Sequence, residues 1–167
     1  MKRVLILLII AVMLLVGCGG DGKQTQSNNA DSQNFAFEYN GVEITINTDV
    51  APIIEKLGEP IDYFEAESCA FKGLDKTYYY SGFELTTYPK DEKTDYVSVI
   101  YFNDDSVSTK EGIYIGSSEE DVVKAYGENY TGGEGFYTYR SGDSTLTFLI
   151  EDGEVVSITY QALVDGL

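Results

Sequence analysis

Ile44-Thr-Ile-Asn-Thr-Asp-Val-Ala-Pro-Ile-Ile-Glu-Lys-Leu-Gly-Glu-Pro60 lines up without gaps on Ile113-Tyr-Ile-Gly-Ser-Ser-Glu-Glu-Asp-Val-Val-Lys-Ala-Tyr-Gly-Glu-Asn129. Ile53 and Ile54 fall on Val122 and Val123, Leu57 on Tyr126, and Gly58 on Gly127. Each copy reads as strand, cap, short helix and glycine stop. In the second copy Ser117 and Glu120 have the spacing of a capping box. Glu119, Glu120 and Asp121 fall in the first turn, where the helix dipole favours acids. Pro52 sits in the first turn of the first helix, where a missing N–H is tolerated. Gly58 and Gly127 are the expected helix stops.

The similarity resumes downstream. Ser81-Gly82 falls on Ser141-Gly142, Leu85 near Leu146, and Tyr96-Val-Ser-Val-Ile-Tyr101 on Val155-Val-Ser-Ile-Thr-Tyr160. Each copy therefore ends in a hairpin of two alternating strands. Asp152-Gly153 is the turn of the second hairpin, and Pro89 to Asp95 is the looser turn of the first. Pro60 to Ser81 spans 21 positions and Asn129 to Ser141 only 12, so the first copy carries an extra segment, which contains Cys69. Upstream, Asn40-Gly41 between Phe35-Ala-Phe-Glu-Tyr39 and Val42-Glu-Ile-Thr-Ile46 signals a two-residue hairpin.

Two blocks carry a family likeness: Ile115-Gly-Ser-Ser-Glu-Glu-Asp-Val-Val-Lys-Ala-Tyr-Gly127 and Phe148-Leu-Ile-Glu-Asp-Gly-Glu-Val155. A helix ending in glycine, followed by three antiparallel strands and duplicated in tandem, resembles the β-lactamase-inhibitor-protein-like (BLIP-like) fold. The single unit is similar to the small outer-membrane assembly lipoproteins of the SmpA/OmlA type. Ser68-Cys-Ala-Phe-Lys-Gly-Leu-Asp-Lys-Thr-Tyr78 resembles a block of uncharacterised lipoproteins of Gram-positive anaerobes. The fold class expected from this likeness is α+β: two tandem repeats of a short helix packed on antiparallel strands, at about 35–110 and 111–167. The resemblance implies binding of other proteins through the open face of the sheet, although fold alone does not fix function.

The N-terminus carries an address. Lys2 and Arg3 precede an apolar run from Val4 to Val16, followed by Gly17-Cys18. A basic start, a short apolar stretch and a small residue before the cut mark a secretory signal over 1–17. Thirteen apolar residues are too few for a bilayer span, which needs ~20. Leu15-Val-Gly-Cys18 resembles a bacterial lipobox, which implies lipid on Cys18 and anchoring at the extracytoplasmic face of the cell membrane. Residues 18–34 have no bulky apolar side chain and read as a flexible tether. Residues 35–167 are then a single globular domain.

The chain has 11 basic and 28 acidic residues, a formal net charge of −17, and no histidine. Such a charge repels phosphate backbones, which argues against a nucleic-acid partner. Membrane contact is expected through the lipid on Cys18 rather than through a basic patch. With Cys18 lipidated, Cys69 is the sole remaining thiol, so no internal disulfide is expected. Beside Ala70 and Phe71, Cys69 reads as a small buried hydrophobe. Without histidine there is no Ser-His-Asp or Cys-His pair. No metal site and no cofactor are expected. Asp104-Asp105 and Glu151-Asp152 fit turns and solubility, with acid–base work as the sharper alternative.

Alternation assigns the two faces of the sheet. Leu146, Phe148, Ile150, Val156, Ile158 and Tyr160 are expected to pack beneath the helices, as are Phe83, Leu85, Val97, Val99 and Tyr101. Ile53, Ile54, Leu57, Val122, Val123 and Tyr126 would cover them. Tyr88, Ile100, Phe102 and Leu149 then fall on the opposite face as the candidate binding surface. An alternative is that the extra segment, with Cys69 and Phe71, folds over this cluster and buries it.

The expected function is a membrane-anchored exported lipoprotein, a non-catalytic binding module for a protein or a cell-envelope component. The alternatives are an enzyme inhibitor of the β-lactamase-inhibitor kind and a carboxylate-dependent cell-wall hydrolase. The hydrolase requires two carboxyl groups facing each other across a cleft.

Overall fold

The computed structural model describes residues 33–165. Cys18, the signal segment and residues 19–32 of the expected tether lie outside the described residues.

Asn40-Gly41 turns the first hairpin, with Asn40 at φ 51, and joins β1 (Ala36–Tyr39) to β2 (Val42–Thr45). Then follow α1 (Ala51–Leu57), β3 (Asp62–Glu67), β4 (Leu74–Tyr80), β5 (Phe83–Pro89) and β6 (Asp95–Phe102). The second half supplies α2 (Glu119–Tyr126), β7 (Phe136–Ser141), β8 (Ser144–Glu151) and β9 (Glu154–Ala162). Strands β3 to β9 form one seven-stranded sheet in the order β3-β4-β5-β6-β9-β8-β7. Every neighbouring pair is antiparallel, and the two halves meet at the centre, where Ile100 faces Tyr160.

The expectation of an α+β fold made of two helix-on-strand units is corrected. The architecture is 47% strand and 11% helix, a sheet-dominated fold. The physical reason is length and edge pairing. The two helices have seven and eight residues, about two turns each, whereas the strands of both halves add edge to edge into a continuous ladder. The extra segment of the first half adds β3 to that ladder, and the β1–β2 hairpin covers part of the sheet. The helical pattern in the sequence is real but accounts for little of the chain.

The gapless sequence alignment has a backbone counterpart. Asn47 N–H donates to Val97 O at 2.8 Å, and Gly116 N–H to Val155 O at 2.8 Å. Val97 N–H donates to Thr48 O at 2.9 Å, and Val155 N–H to Ser117 O at 2.8 Å. Val50 N–H donates to Asp95 O at 2.9 Å, and Glu119 N–H to Gly153 O at 3.0 Å. The segment before each helix thus fills the same place beside the last strand of its own half. Val97, not Tyr96, is the counterpart of Val155, which corrects the alignment of the last strands by one residue and matches Phe102, not Tyr101, to Tyr160. Ser118, rather than Ser117, caps α2, accepting from Asp121 N–H at 3.2 Å. Gly58 (φ 79, ψ −166) and Gly127 (φ 85, ψ −178) end the helices in a backbone region that is essentially glycine's alone, not in the left-handed helical well.

The core lies between the inner face of the sheet and a layer made of the hairpin and both helices. Phe37 of the hairpin sits 4.9 Å from the rings of both Phe83 and Phe102. Ile44, Ile46, Ile53 and Val122 complete the cover. Ile54, Leu57 and Tyr126 pack against this core from its margin. Burying each large side chain stabilises the fold by about 1.5–3 kcal/mol before chain entropy is subtracted.

Face assignment by alternation fails at two matching places. Thr86 pairs with Val99 and Thr87 with Val97, so Ser98 is an extra residue in β6. Leu149 pairs with Ser157 and Ile150 with Val155, so Val156 is an extra residue in β9. A bulge shifts the inward parity of everything beyond it. Val97 and Val155 face the core before the bulge; Ile100 and Phe102, and Ile158 and Tyr160, face it afterwards. Val99, Tyr101 and Val156, expected inside, are half-buried or exposed.

Candidate functional site

The residues expected to form a binding surface do not come together. Ile100 and Phe102 are fully buried on the core face, carried there by the Ser98 bulge. Tyr88 stays on the outer face but is covered: the Phe71 ring lies 5.0 Å from it, and its hydroxyl donates to Asn47 Oδ1 at 2.6 Å. The extra segment therefore folds over Tyr88, whereas the helix-side layer buries Ile100 and Phe102. Leu149 is half-buried on β8, paired with Ser157 and Phe136. Cys69 is exposed with a free thiol, not a buried hydrophobe.

What the fold exposes instead is β3 and the outer sheet face beside it. All six residues of β3 are exposed. Ile61 is 76% accessible, Phe64 59% and Tyr63 42%. An outermost strand leaves alternate backbone N–H and C=O groups unpaired, a ready template for another chain. β3 is long enough to offer six residues of it, and Asp62, Glu65 and Glu67 place carboxylates along the same edge.

Its two faces differ. On the inner side Tyr63 packs on Tyr78, with ring centroids 5.1 Å apart, and donates to Glu65 Oε2 at 2.5 Å. Burial, then the bond to Glu65, pushes the Tyr63 hydroxyl well above the ordinary tyrosine range. Glu65 faces Lys76 across the ladder, and Lys76 Nζ reaches Asp95 Oδ2 at 2.6 Å. That hydrogen bond to Asp95 holds the Lys76 ammonium above its usual value, against the opposing effect of burial. On the outer side Phe64 starts a row that continues through Thr77, Thr86, Val99, Gln161 and Thr145. Thr77 and Thr86 hydroxyls lie 3.2 Å apart, and Thr138 and Thr147 hydroxyls 3.1 Å apart in the other half. The row residues are half-buried or exposed.

The acid pairs noted in the sequence lie in turns. Asp104 accepts from Ser106 N–H at 2.8 Å after β6, and hydrogen bonding from the Ser106 side chain, then from its backbone, holds the carboxyl below the usual range. Glu151 and Glu154 flank the Asp152-Gly153 turn. Among the described residues no group of three or more His, Cys, Asp or Glu is placed to hold a metal ion. Among the same residues no helix is long and apolar enough to cross a membrane.

Ile61, Tyr63 and Phe64 escape the sequence reading because the repeat has no second copy of β3 against which to align it. The signal was available in composition: two adjacent aromatics among acids, in the segment that the second half lacks. Comparison with protein-family models, with curated proteins and with solved structures returns no match for this chain.

Proposed function

We propose that this chain is an exported, lipid-anchored, non-catalytic binding module, and that a protein partner docks along β3. The observation that carries the reading is the exposure of Tyr63 and Phe64 on an edge strand with an unpaired outer side, and of Ile61 just before it. Strand addition supplies affinity through main-chain hydrogen bonds, and side chains alternating across the strand supply selectivity. The carboxylates of Asp62, Glu65 and Glu67, on a chain of net charge −17, favour a basic segment as the added strand and disfavour a second copy of this chain. The anchor supports the same reading from the sequence side: lipid on Cys18 followed by a polar tether presents the domain to neighbours in the cell envelope.

The test is a photo-cross-linking residue at Phe64 in the full chain, expressed in its native envelope, with a matched residue at Glu120 on α2 as control. The proposal expects a discrete protein adduct from position 64 that is lost on Ile61→Ser with unchanged thermal stability. Adducts equal in kind and amount from positions 64 and 120 would overturn it.

A further inference from the structure

A cleft of about 480 Å³ opens between the β1–β2 hairpin and the segment before α2. Phe35, Glu43, Lys110, Glu111 and Tyr160 line it. Tyr160 comes from the central strand β9 and is about 1% exposed; its hydroxyl is buried and has no hydrogen-bond partner among the described residues. A buried hydroxyl without a partner forfeits its hydration with nothing in return, so such groups are rare and call for an explanation. Counted from the matching residues Val97 and Val155, the place of Tyr160 is held in the other half by Phe102, a ring of the same shape that needs no partner at all.

The charges around that hydroxyl define what suits it. Glu111 accepts a hydrogen bond from the Tyr126 hydroxyl, which leaves most of its acceptor capacity free. It is in no ion pair among the described residues. Glu111 and Tyr160 line the same cleft, and burial, then the Glu111 charge, push the Tyr160 hydroxyl well above the ordinary tyrosine range. At the mouth, Lys110 Nζ sits 3.6 Å from Glu43 Oε2, so one carboxylate of the cleft already holds a primary ammonium. The other holds none. Phe35 and Tyr160 meet edge to face at 6.4 Å and supply aromatic wall.

We propose that this cleft binds a small organic ammonium: a primary amine on a short apolar carbon chain. The ammonium has three N–H donors and no acceptor, which matches the free lone pairs of Glu111 and the unpartnered oxygen of Tyr160. The aromatic rings favour both the cation and its carbon chain. The negative field of the whole molecule raises the local concentration of such cations. The site is separate from β3 and does not depend on the protein-docking reading.

The test is an NMR titration of the full chain with n-butylammonium chloride, using 1-butanol and sodium butyrate as controls. Saturable shifts are expected at the amides of Phe35, Glu111 and Tyr160 with the amine alone. Glu111→Gln keeps the shape and removes the charge, and is expected to weaken binding about tenfold, as loss of a charge-assisted hydrogen bond does. Tyr160→Phe is expected to weaken it severalfold while leaving the fold intact. No saturable shift with the amine, equal shifts with butanol, or binding unchanged in Glu111→Gln would each overturn the proposal. The first of these results would leave an ordered water as the partner of Tyr160.

Discussion

The Tyr139 hydroxyl donates a 2.8 Å hydrogen bond to the carbonyl of Gly127, the residue that ends α2. Tyr80 makes the matching bond to Gly58 at 3.1 Å, at the end of α1. Helices of two turns have little stability of their own. In each half a strand tyrosine ties the helix end to the sheet. Tyr139→Phe is expected to lower stability by about 1 kcal/mol in urea unfolding, with the sheet intact by circular dichroism. Tyr80→Phe is expected to have the same sign. A neutral effect in both variants would show that the glycine carbonyls are equally well served by water.

The bulge in β9 makes opposite demands on two adjacent valines. Val155 is 1% exposed and Val156 39%. Val155→Thr buries a hydroxyl in an apolar site and is expected to lower stability by about 1–3 kcal/mol. Val156→Thr is expected to stay within about 0.5 kcal/mol. Equal effects would place the bulge elsewhere.

Much of the local structure is legible in the residues. Asn40-Gly41 and Asp152-Gly153 announce their hairpins, and Pro52, Gly58 and Gly127 bracket the helices. The repeat is legible because each copy keeps its strand–cap–helix–glycine order. The bulges at Ser98 and Val156 are not, since neither residue carries a turn signal and the doubled apolar residues beside them, Val99-Ile100 and Val155-Val156, fit either face. That single slip moves Ile100 and Phe102 from a supposed surface into the core. The balance of sheet over helix is also not legible, because strand pairing between the two halves is a non-local property. β3 is hidden for the opposite reason: it has no counterpart in the second half.

Alkaline pH tests the buried tyrosines. Burial raises the hydroxyls of Tyr126, Tyr139 and Tyr160, and the bond to Asp95 raises Lys76. A group whose folded value lies above its unfolded one stabilises fully below the unfolded value, and loses that contribution as pH rises beyond it. For tyrosine and lysine the unfolded value is about 10. Stability is therefore expected to be flat from pH 7 to 9 and to fall above about 10, with tyrosinate absorbance rising in step with unfolding. Full tyrosine ionisation in a still-folded protein would contradict the burial of these hydroxyls.

The anchor proposal rests on Leu15-Val-Gly-Cys18. Cys18→Ala is expected to give an unprocessed precursor without lipid. Metabolic labelling with radioactive palmitate checks it: the wild-type chain is labelled and the variant is not. Equal labelling of both would remove Cys18 as the attachment point.

The docking role of β3 is tested most directly by amide hydrogen exchange of the full chain, alone and bound to the partner captured through position 64. Added-strand pairing predicts that the outward amides of Asp62–Glu67, those not bonded to β4, exchange freely in the unbound chain and become protected in the complex, more than any other segment. Protection elsewhere on the domain, with the β3 amides exchanging as fast as before, would contradict the account.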